Sequence, residues 1–262
     1  MKLLFLLLLT SVCFGTYISN KDIMLEIPRG NIAGQSSVNK FGQNHDVESD
    51  EQEDIWDGSY NYVFPTSTNI THIAQTADQV AMRGQTIEVQ GLDLDWELVV
   101  QNATLDGANT TTKVLLATKL RRVFRMRVLA DVVTDQPICV GNSLGTTTNA
   151  MIQAGNNQTL MAIYTIPAGK TGYITRGYAS VSEATGKEPK STEIRMWMAD
   201  RGNGYEFQLK KALGIPKAGS MLVMEFKPYG KVPEKTDIKV SAYCEGEAGN
   251  VSAGFDIILC DQ

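Results

Sequence analysis

The fold class is clearest in residues 86–101, which read TIEVQ, GLD, LD and WELVVQ in succession. Apolar and polar side chains alternate on both sides of the turn Gly91-Leu92-Asp93. A period of two with frequent β-branched residues is the pattern of a half-buried antiparallel strand, and glycine and aspartate are typical of the turn between two such strands. The stretch therefore predicts a β-hairpin.

Short runs of the same kind continue through the rest of the chain, at fairly regular spacing and without a long helical pattern between them. This arrangement predicts an all-β fold of antiparallel sandwich or jelly-roll-like domains. Two hairpins are expected in the second half, with turns at Pro167–Lys170 and Asp200–Gly204. The predicted strands of that half are 158–166, 171–181, 191–198, 205–209, 220–226, 236–243 and 253–259.

The chain divides into five predicted segments. A polar, irregular composition marks the second of them as an extended arm, and a Gly/Thr/Asn-rich composition marks the fourth as a linker. The segments are a signal-like or wrongly assigned N-terminal extension (1–22), the extended arm (23–57), a first β domain (58–140), the linker (141–157) and a second β-sandwich domain (158–262). The apolar run within Met1–Gly15 resembles a secretory signal and is too short for a stable membrane span.

Composition argues against several functional classes. The chain has 262 residues, 29 acidic and 24 basic side chains, and a formal net charge of -5, which does not suit a nucleic-acid coat. Two histidines and four cysteines leave little material for a metal centre or a histidine-based catalytic site, and no nucleotide-binding or metalloprotease motif occurs. We therefore expect that the protein is not an enzyme, that it binds no cofactor or metal ion, and that it has no direct role in binding nucleic acid.

One basic stretch is a candidate for binding a partner. Read as a single strand, residues 119–129 place four basic side chains on one face and four apolar ones on the other. The basic face either meets phosphate or an acidic partner, or is an ordinary salt-bridged sheet face, and the second interpretation is favoured because surface ion pairs are common. The basic residues are Lys119, Arg121, Arg125 and Arg127, and the apolar ones are Leu120, Phe124, Met126 and Val128.

Apolar residues in and next to the arm are the other candidates. Ile55 and Trp56 are interpreted as apolar anchors that become buried when the arm lies along other subunits. Phe41, also in the arm, is a further candidate for contact with a partner. The methionines of two later strands, Met196, Met198, Met221 and Met224, are interpreted as core-filling residues. The predicted partner-binding residues are thus Phe41, Ile55, Trp56, Arg121, Arg125 and Arg127.

Five stretches of the chain resemble a poorly characterised family of virion-associated structural proteins of tailed bacteriophages, mostly from aquatic viruses. The resemblance extends from about Tyr17 to the end of the chain and implies a structural role in the virion, without a catalytic site. Similar proteins begin close to Ile23, so Met1–Gly15 is an addition to the family pattern. The stretches are Val38–Val47, Glu53–Gly58, Gly91–Asp93, Gln158–Tyr173 and Phe255–Leu259.

These observations lead to one principal functional hypothesis and two alternatives. The first is a capsid decoration or head-fibre protein on the virion exterior, built as a homotrimer and bound to the major capsid protein or other virion proteins. The second is a tail adhesin that binds a host surface glycan through exposed aromatic side chains. The third is a secreted β-sandwich binding protein. The aromatic side chains considered are Tyr173, Tyr178, Trp197 and Tyr205.

Overall fold

The computed structural model describes residues 22–58, 60–67, 69–142, 147–184, 186–216 and 218–262. These residues form antiparallel sheets with very little helix, which confirms the prediction of an all-β sandwich fold. The elements are α1 (Ile23–Glu26), β1 (Gln35–Val47), β2 (Gln52–Asp54), β3 (Ile70–Gln75), a 3-10 turn (Val80–Met82), β4 (Thr86–Leu92), β5 (Leu98–Thr104), β6 (Val114–Leu120), β7 (Arg122–Val128), β8 (Ile138–Gly141), β9 (Thr148–Ile152), β10 (Ile163–Thr165), β11 (Lys170–Glu183), β12 (Thr192–Asp200), a second 3-10 turn (Arg201–Asn203), β13 (Gln208–Ile215), β14 (Met221–Val232), β15 (Thr236–Cys244) and β16 (Gly249–Asp261).

Two of the sheets enclose one core and form what we call the terminal sandwich. One sheet has the strand order β1-β16-β11-β14, and the other has the order β10-β15-β12-β13. The short strand β2 continues the edge of the second sheet beside β10, since both pair with β15. Inward-facing apolar residues of both sheets, among them Ile174, Val240 and Phe255, fill the space between them.

The other two sheets enclose a second core and form what we call the inserted sandwich. Their strand orders are β6-β3-β8-β9 and β5-β4-β7, and their shared core includes Ile70, Ile87 and Leu120. The edges of these two sheets lie close together. On one side the backbone nitrogen and carbonyl of Thr118 bond the side chain of Gln101, at 2.8 Å each, which links β5 to β6.

The inserted sandwich interrupts the terminal sandwich between β2 and β10. The chain leaves and returns at neighbouring points, where the backbone nitrogen of Asp57 donates to the carbonyl of Leu160 at 2.9 Å. In return, the backbone nitrogen of Leu160 donates to Oδ2 of Asp57, also at 2.9 Å. The two sandwiches are therefore connected by two adjacent chain crossings.

The segment predicted as an extended arm is largely part of the terminal sandwich. β1 pairs with β16 from Gln35 opposite Cys260 to Val47 opposite Gly249. A polar sequence does not mean exposure here, because several of its buried positions are polar or glycine. A Cβ on Gly42, for example, would lie only 2.3 Å from the backbone nitrogen of Ala162.

Two further predictions of local organisation differ from the structure. The predicted linker 141–157 contains β9, whose Ala150 and Ile152 are fully buried in the inserted sandwich. The turn Pro167–Lys170 does not close a hairpin, because β10 and β11 lie in different sheets. The other predicted hairpin is confirmed, since β12 pairs antiparallel with β13.

The predicted N-terminal extension 1–22 lies outside the described residues, apart from Asp22, which caps α1 by accepting a hydrogen bond from the backbone nitrogen of Met24 at 3.0 Å. Among the residues that the structure describes, no helix is sufficiently long and apolar to span a membrane. Cys139, Cys244 and Cys260 are free thiols.

The buried carboxyl group of Asp57 makes stability depend on pH. Asp57 is 3% exposed, and its Oδ1 has no hydrogen-bond partner. Burial raises the pKa of Asp57 to about 7. Since the native pKa is above that of the unfolded chain, the folded state binds more protons between the two values, and stability falls as the pH rises through about 4 to 7.

We expect Asp57→Asn to remove this dependence. The amide oxygen still accepts from the backbone of Leu160, and no charge has to be buried. At pH 8 the variant should be more stable than the parent by up to about 4 kcal/mol, the equivalent of a shift of about three pKa units, with a much smaller difference near pH 4. Urea unfolding at a series of pH values measures this, with exposed Asp135→Asn as the control. Parallel pH profiles for parent and variant would contradict it.

Candidate interaction surfaces

The predicted basic strand 119–129 is two strands with an irregularity between them. β6 ends at Leu120 and β7 begins at Arg122, in a different sheet. Where β7 pairs with β4 the register shifts at Gly91, against which the backbone of Arg122 is packed so closely that a Cβ would lie 2.1 Å from its carbonyl oxygen. As predicted, Phe124, Met126 and Val128 are buried, but the side chain of Arg122 is buried as well.

The basic side chains do not form a single positive face. Arg127 makes a two-pronged ion pair with Glu88, at 2.9 Å for both contacts, and these hydrogen bonds lower the pKa of Glu88. Arg125 contacts the carbonyl of Asn39 on β1. Arg121 stacks on Trp96 with 4.9 Å between its guanidinium carbon and the ring centroid. Lys119 lies on β6, in the other sheet of the inserted sandwich.

The predicted apolar anchors are core residues. Ile55 and Trp56 are both fully buried. The indole nitrogen of Trp56 donates to the carbonyl of Tyr60 at 2.6 Å, and the rings of Tyr60 and Tyr62 meet it edge-on at 4.9 and 5.2 Å. Phe41 is half-buried on β1. In the folded chain Ile55 and Trp56 therefore pack against the protein's own residues and present no surface to a partner.

A large open cavity lies where the two sandwiches meet, and we call it the Arg–aromatic cavity. It has a volume of about 520 Å³. Its walls include Trp96 and Arg121 from the inserted sandwich and Arg201, Phe207 and Lys239 from the terminal sandwich. Of these residues, only Arg121 is a predicted partner-binding residue. Arg201, Phe207 and Lys239 come from segments 80 or more residues away, and no local pattern connects them with Arg121 or with Trp96.

A buried ion network forms the floor of this cavity. Asp237 is fully buried, and both its oxygens accept from Arg122, at 2.7 and 2.8 Å. Oδ1 also accepts from the hydroxyl of Thr165 at 2.7 Å, and Oδ2 from Nε of Arg201 at 3.0 Å. Nearby, Lys239 donates to the buried carboxylate of Asp54 at 2.9 Å. Arg122 belongs to the inserted sandwich and Asp237 to the terminal one, so the network also ties the two together.

The terminal sandwich is open along one side, between the edge strands β13 and β14. An apolar cleft there is lined by Ile194, Met196, Leu213, Leu222, Met224 and Phe226. Among the described residues, β13 pairs only with β12 and β14 only with β11, so their outer backbone edges have no partner strand. We call this side of the molecule the open edge.

Strand β14 also carries apolar side chains on its solvent face. Met221 is 76% exposed and Val223 is 52% exposed, and Leu209 on β13 is 46% exposed. The interpretation of the methionines as core-filling residues therefore does not extend to Met221. The signal was present in the run Met221-Leu222-Val223-Met224, which is apolar at successive positions and so on both faces of a strand.

The aromatic residues considered for glycan stacking do not share one surface. Tyr173 and Tyr178 lie on β11 and Trp197 on β12, in opposite sheets of the terminal sandwich. Trp197 is half-buried and donates to the hydroxyl of Ser241 at 2.9 Å. Tyr205 is 56% exposed after the second 3-10 turn. Among the described residues, no group of three or more histidine, cysteine, aspartate or glutamate side chains is arranged to hold a metal ion.

Comparison with known proteins finds few similarities. No family model matches the chain, and no curated protein matches it. One similar solved structure is a chain from the structure of the Gt strain of infectious bursal disease virus, with 10% sequence identity and a TM-score of 0.26. The match covers 87% of this chain and 73% of the viral chain. A TM-score this low does not establish a common fold.

Proposed function

We propose that the chain is a structural protein of a virus particle, and specifically a capsid decoration or head-fibre protein of a tailed bacteriophage. It acts by binding other subunits and carries out no catalysis. The observation that carries the proposal is the open edge, where unpaired strands and exposed apolar side chains occur together. The resemblance of Val38–Val47 and Gln158–Tyr173 to phage virion proteins supports the same role.

The open edge suits association with a second copy of the chain. A long unpaired strand such as β14 is a template for pairing or packing with another subunit, and natural proteins usually protect such an edge. Met221 and Val223 add apolar area whose burial is favourable. Closed symmetry covers every such edge, and a trimer does so with one repeated contact. The assembled trimer then binds the major capsid protein or other virion proteins.

We expect the double variant Met221→Lys, Val223→Lys to abolish self-association without unfolding the chain. Both side chains are exposed, so the substitutions leave the core intact, whereas three lysine pairs brought together at the trimer contact would repel each other. Sedimentation velocity should show a trimer for the parent chain and a monomer for the variant. At a dilution where the parent is monomeric as well, the two chains should have the same melting temperature.

Val100→Lys is the matched control, because Val100 is 55% exposed on β5 at the edge of the inserted sandwich, away from the open edge. It should remain trimeric. A parent chain that stays monomeric at the highest attainable concentration would contradict the proposed contact, and so would a double variant that still forms trimers.

Location on the particle is tested by cryo-electron microscopy of the virion that carries this protein. A decoration or head-fibre protein should give density on the outer surface of the head, with the open edges of neighbouring copies facing each other. Density confined to the tail would favour the adhesin instead, and absence from purified particles would overturn the structural role.

A further inference from the structure

We propose that the Arg–aromatic cavity binds a saccharide that carries one carboxylate group. The site lies between the two sandwiches. Phe207 immediately precedes β13, but none of the wall residues belongs to β13 or β14, so this inference does not depend on the proposed mode of assembly. Three features point to it. Arg121 has no carboxylate partner among the described residues, Arg201 is paired with the highly exposed carboxylate of Glu206, and aromatic side chains form part of the walls.

The charge balance of the cavity leaves room for one anion. Four cations border it or its floor, namely Arg121, Arg122, Arg201 and Lys239. Three carboxylates contact them, those of Asp54, Asp237 and Glu206. One positive charge remains uncompensated, and the carboxylate of a ligand matches it.

Arg121 is the cation without a carboxylate partner among the described residues. Its Nη1 lies 3.3 Å from the carbonyl of Thr66, and its buried Nε has no hydrogen-bond partner. Stacking on Trp96 at 4.9 Å fixes the plane of the guanidinium. An arginine held in this way presents a planar pair of donors, which is the arrangement that recognises a carboxylate through two hydrogen bonds.

The carboxylate of Glu206 lies beside Arg201, where the carboxylate of a bound ligand could lie instead. Its Oε2 lies 2.9 Å from Nη1 of Arg201, but the side chain of Glu206 is 85% exposed. An ion pair this exposed is weak, so the carboxylate of a ligand can displace it at little cost. Nε of Arg201 remains bound to Asp237, which keeps the guanidinium in place.

The walls of the cavity suit a ring that is apolar on its faces and polar at its rim. Phe64, Trp96 and Phe207 supply aromatic surface, while the carbonyl groups of Pro65 and Thr66 bond the arginines along one side. The volume of about 520 Å³ falls within the range of about 300–1,000 Å³ common for small-molecule sites. The three rings are half-buried and each already faces an arginine or lysine side chain, and a saccharide would contact the part of their surface that stays exposed.

The first test is calorimetric titration of the full chain with sodium glucuronate, and with glucose as the neutral match. Fluorescence of Trp96 gives a second readout, with Trp96→Phe to assign the signal. We expect glucuronate to bind and glucose to bind at least tenfold more weakly, because only glucuronate supplies the carboxylate. Equal binding of the two sugars, or no binding of either, would overturn the proposal. Equally tight competition by sulfate would also overturn it, since the site would then be a general anion site.

Two substitutions should act in opposite directions. Arg121→Gln removes the uncompensated charge and should weaken glucuronate binding at least tenfold. Glu206→Gln removes the competing internal carboxylate and should strengthen it severalfold, and because the side chain is exposed this variant is expected to fold normally. Arg125→Gln, on the same strand β7 as the network but outside the cavity, is the control and should bind as the parent does. An equal loss in Arg125→Gln, or no gain in Glu206→Gln, would contradict the assignment.

Discussion

Asp237→Asn is expected to destabilise the folded chain by about 3–5 kcal/mol, the usual cost of removing one partner from a buried ion pair. The carboxylate of Asp237 is fully buried and accepts four hydrogen bonds, from Arg122, Arg201 and Thr165. An asparagine at this position places an amide N–H group against a guanidinium and leaves the charge of Arg122 without a counterion. Arg122 is itself only 5% exposed in its side chain, so water cannot compensate.

Equilibrium unfolding in urea measures this loss. The matched control is Glu193→Gln, which breaks the ion pair with Arg195, where the two side chains are 39% and 26% exposed. That change should cost less than about 1 kcal/mol, since exposed ion pairs contribute little. Similar losses for the two variants would show that the network at Asp237 is not an essential connection between the sandwiches.

Trp56→Ala is the second large effect we expect, again a loss of about 3–5 kcal/mol. Trp56 is fully buried, its indole nitrogen has a backbone partner, and its ring is held edge-on by Tyr60 and Tyr62. The substitution would leave a cavity at the point where the chain passes from one sandwich to the other. Thermal unfolding of the purified chain is the measurement.

The experiment also separates two roles for the same residue. If Trp56 were an anchor for a partner, its removal would leave the isolated chain as stable as before and would weaken only assembly. Because it is a core residue, we expect the stability of the chain to fall. Trp197→Ala is the comparison. Trp197 is only half-buried, so its substitution should lower the stability of the chain by less. An unchanged melting temperature in Trp56→Ala would restore the anchor interpretation.

Local patterns predicted the class of fold because strand periodicity is a local property. The alternation in 86–101 corresponds to the β4–β5 hairpin, and the turn after Asp200 to the β12–β13 hairpin. Long-range pairing was not predictable in this way. The polar run Gln35–Val47 gives no sign that its partner is the final strand, and its buried positions include Lys40 and Asn44.

The candidate sites show the same division between local and distant information. Arg127 and Glu88 form the kind of surface pair that was favoured for the basic stretch. Arg122 does not follow the alternation, because the register shift at Gly91 turns its side chain towards Asp237, 115 residues away. No pattern within β7 indicates such a partner. The Arg–aromatic cavity depends on this contact and was therefore beyond the reach of local sequence reasoning.

The pairing of β1 with β16 imposes an order on folding during synthesis. The inserted sandwich is made from one continuous stretch of chain, so its strands can pair as soon as that stretch leaves the ribosome. β1 is synthesised before all of them, yet its partner strand begins only at Gly249. Until then β1 has no strand to pair with, and closing this loop of about 200 residues is slow because contacts distant in sequence form late. β1, the first strand among the described residues, is thus one of the last to pair.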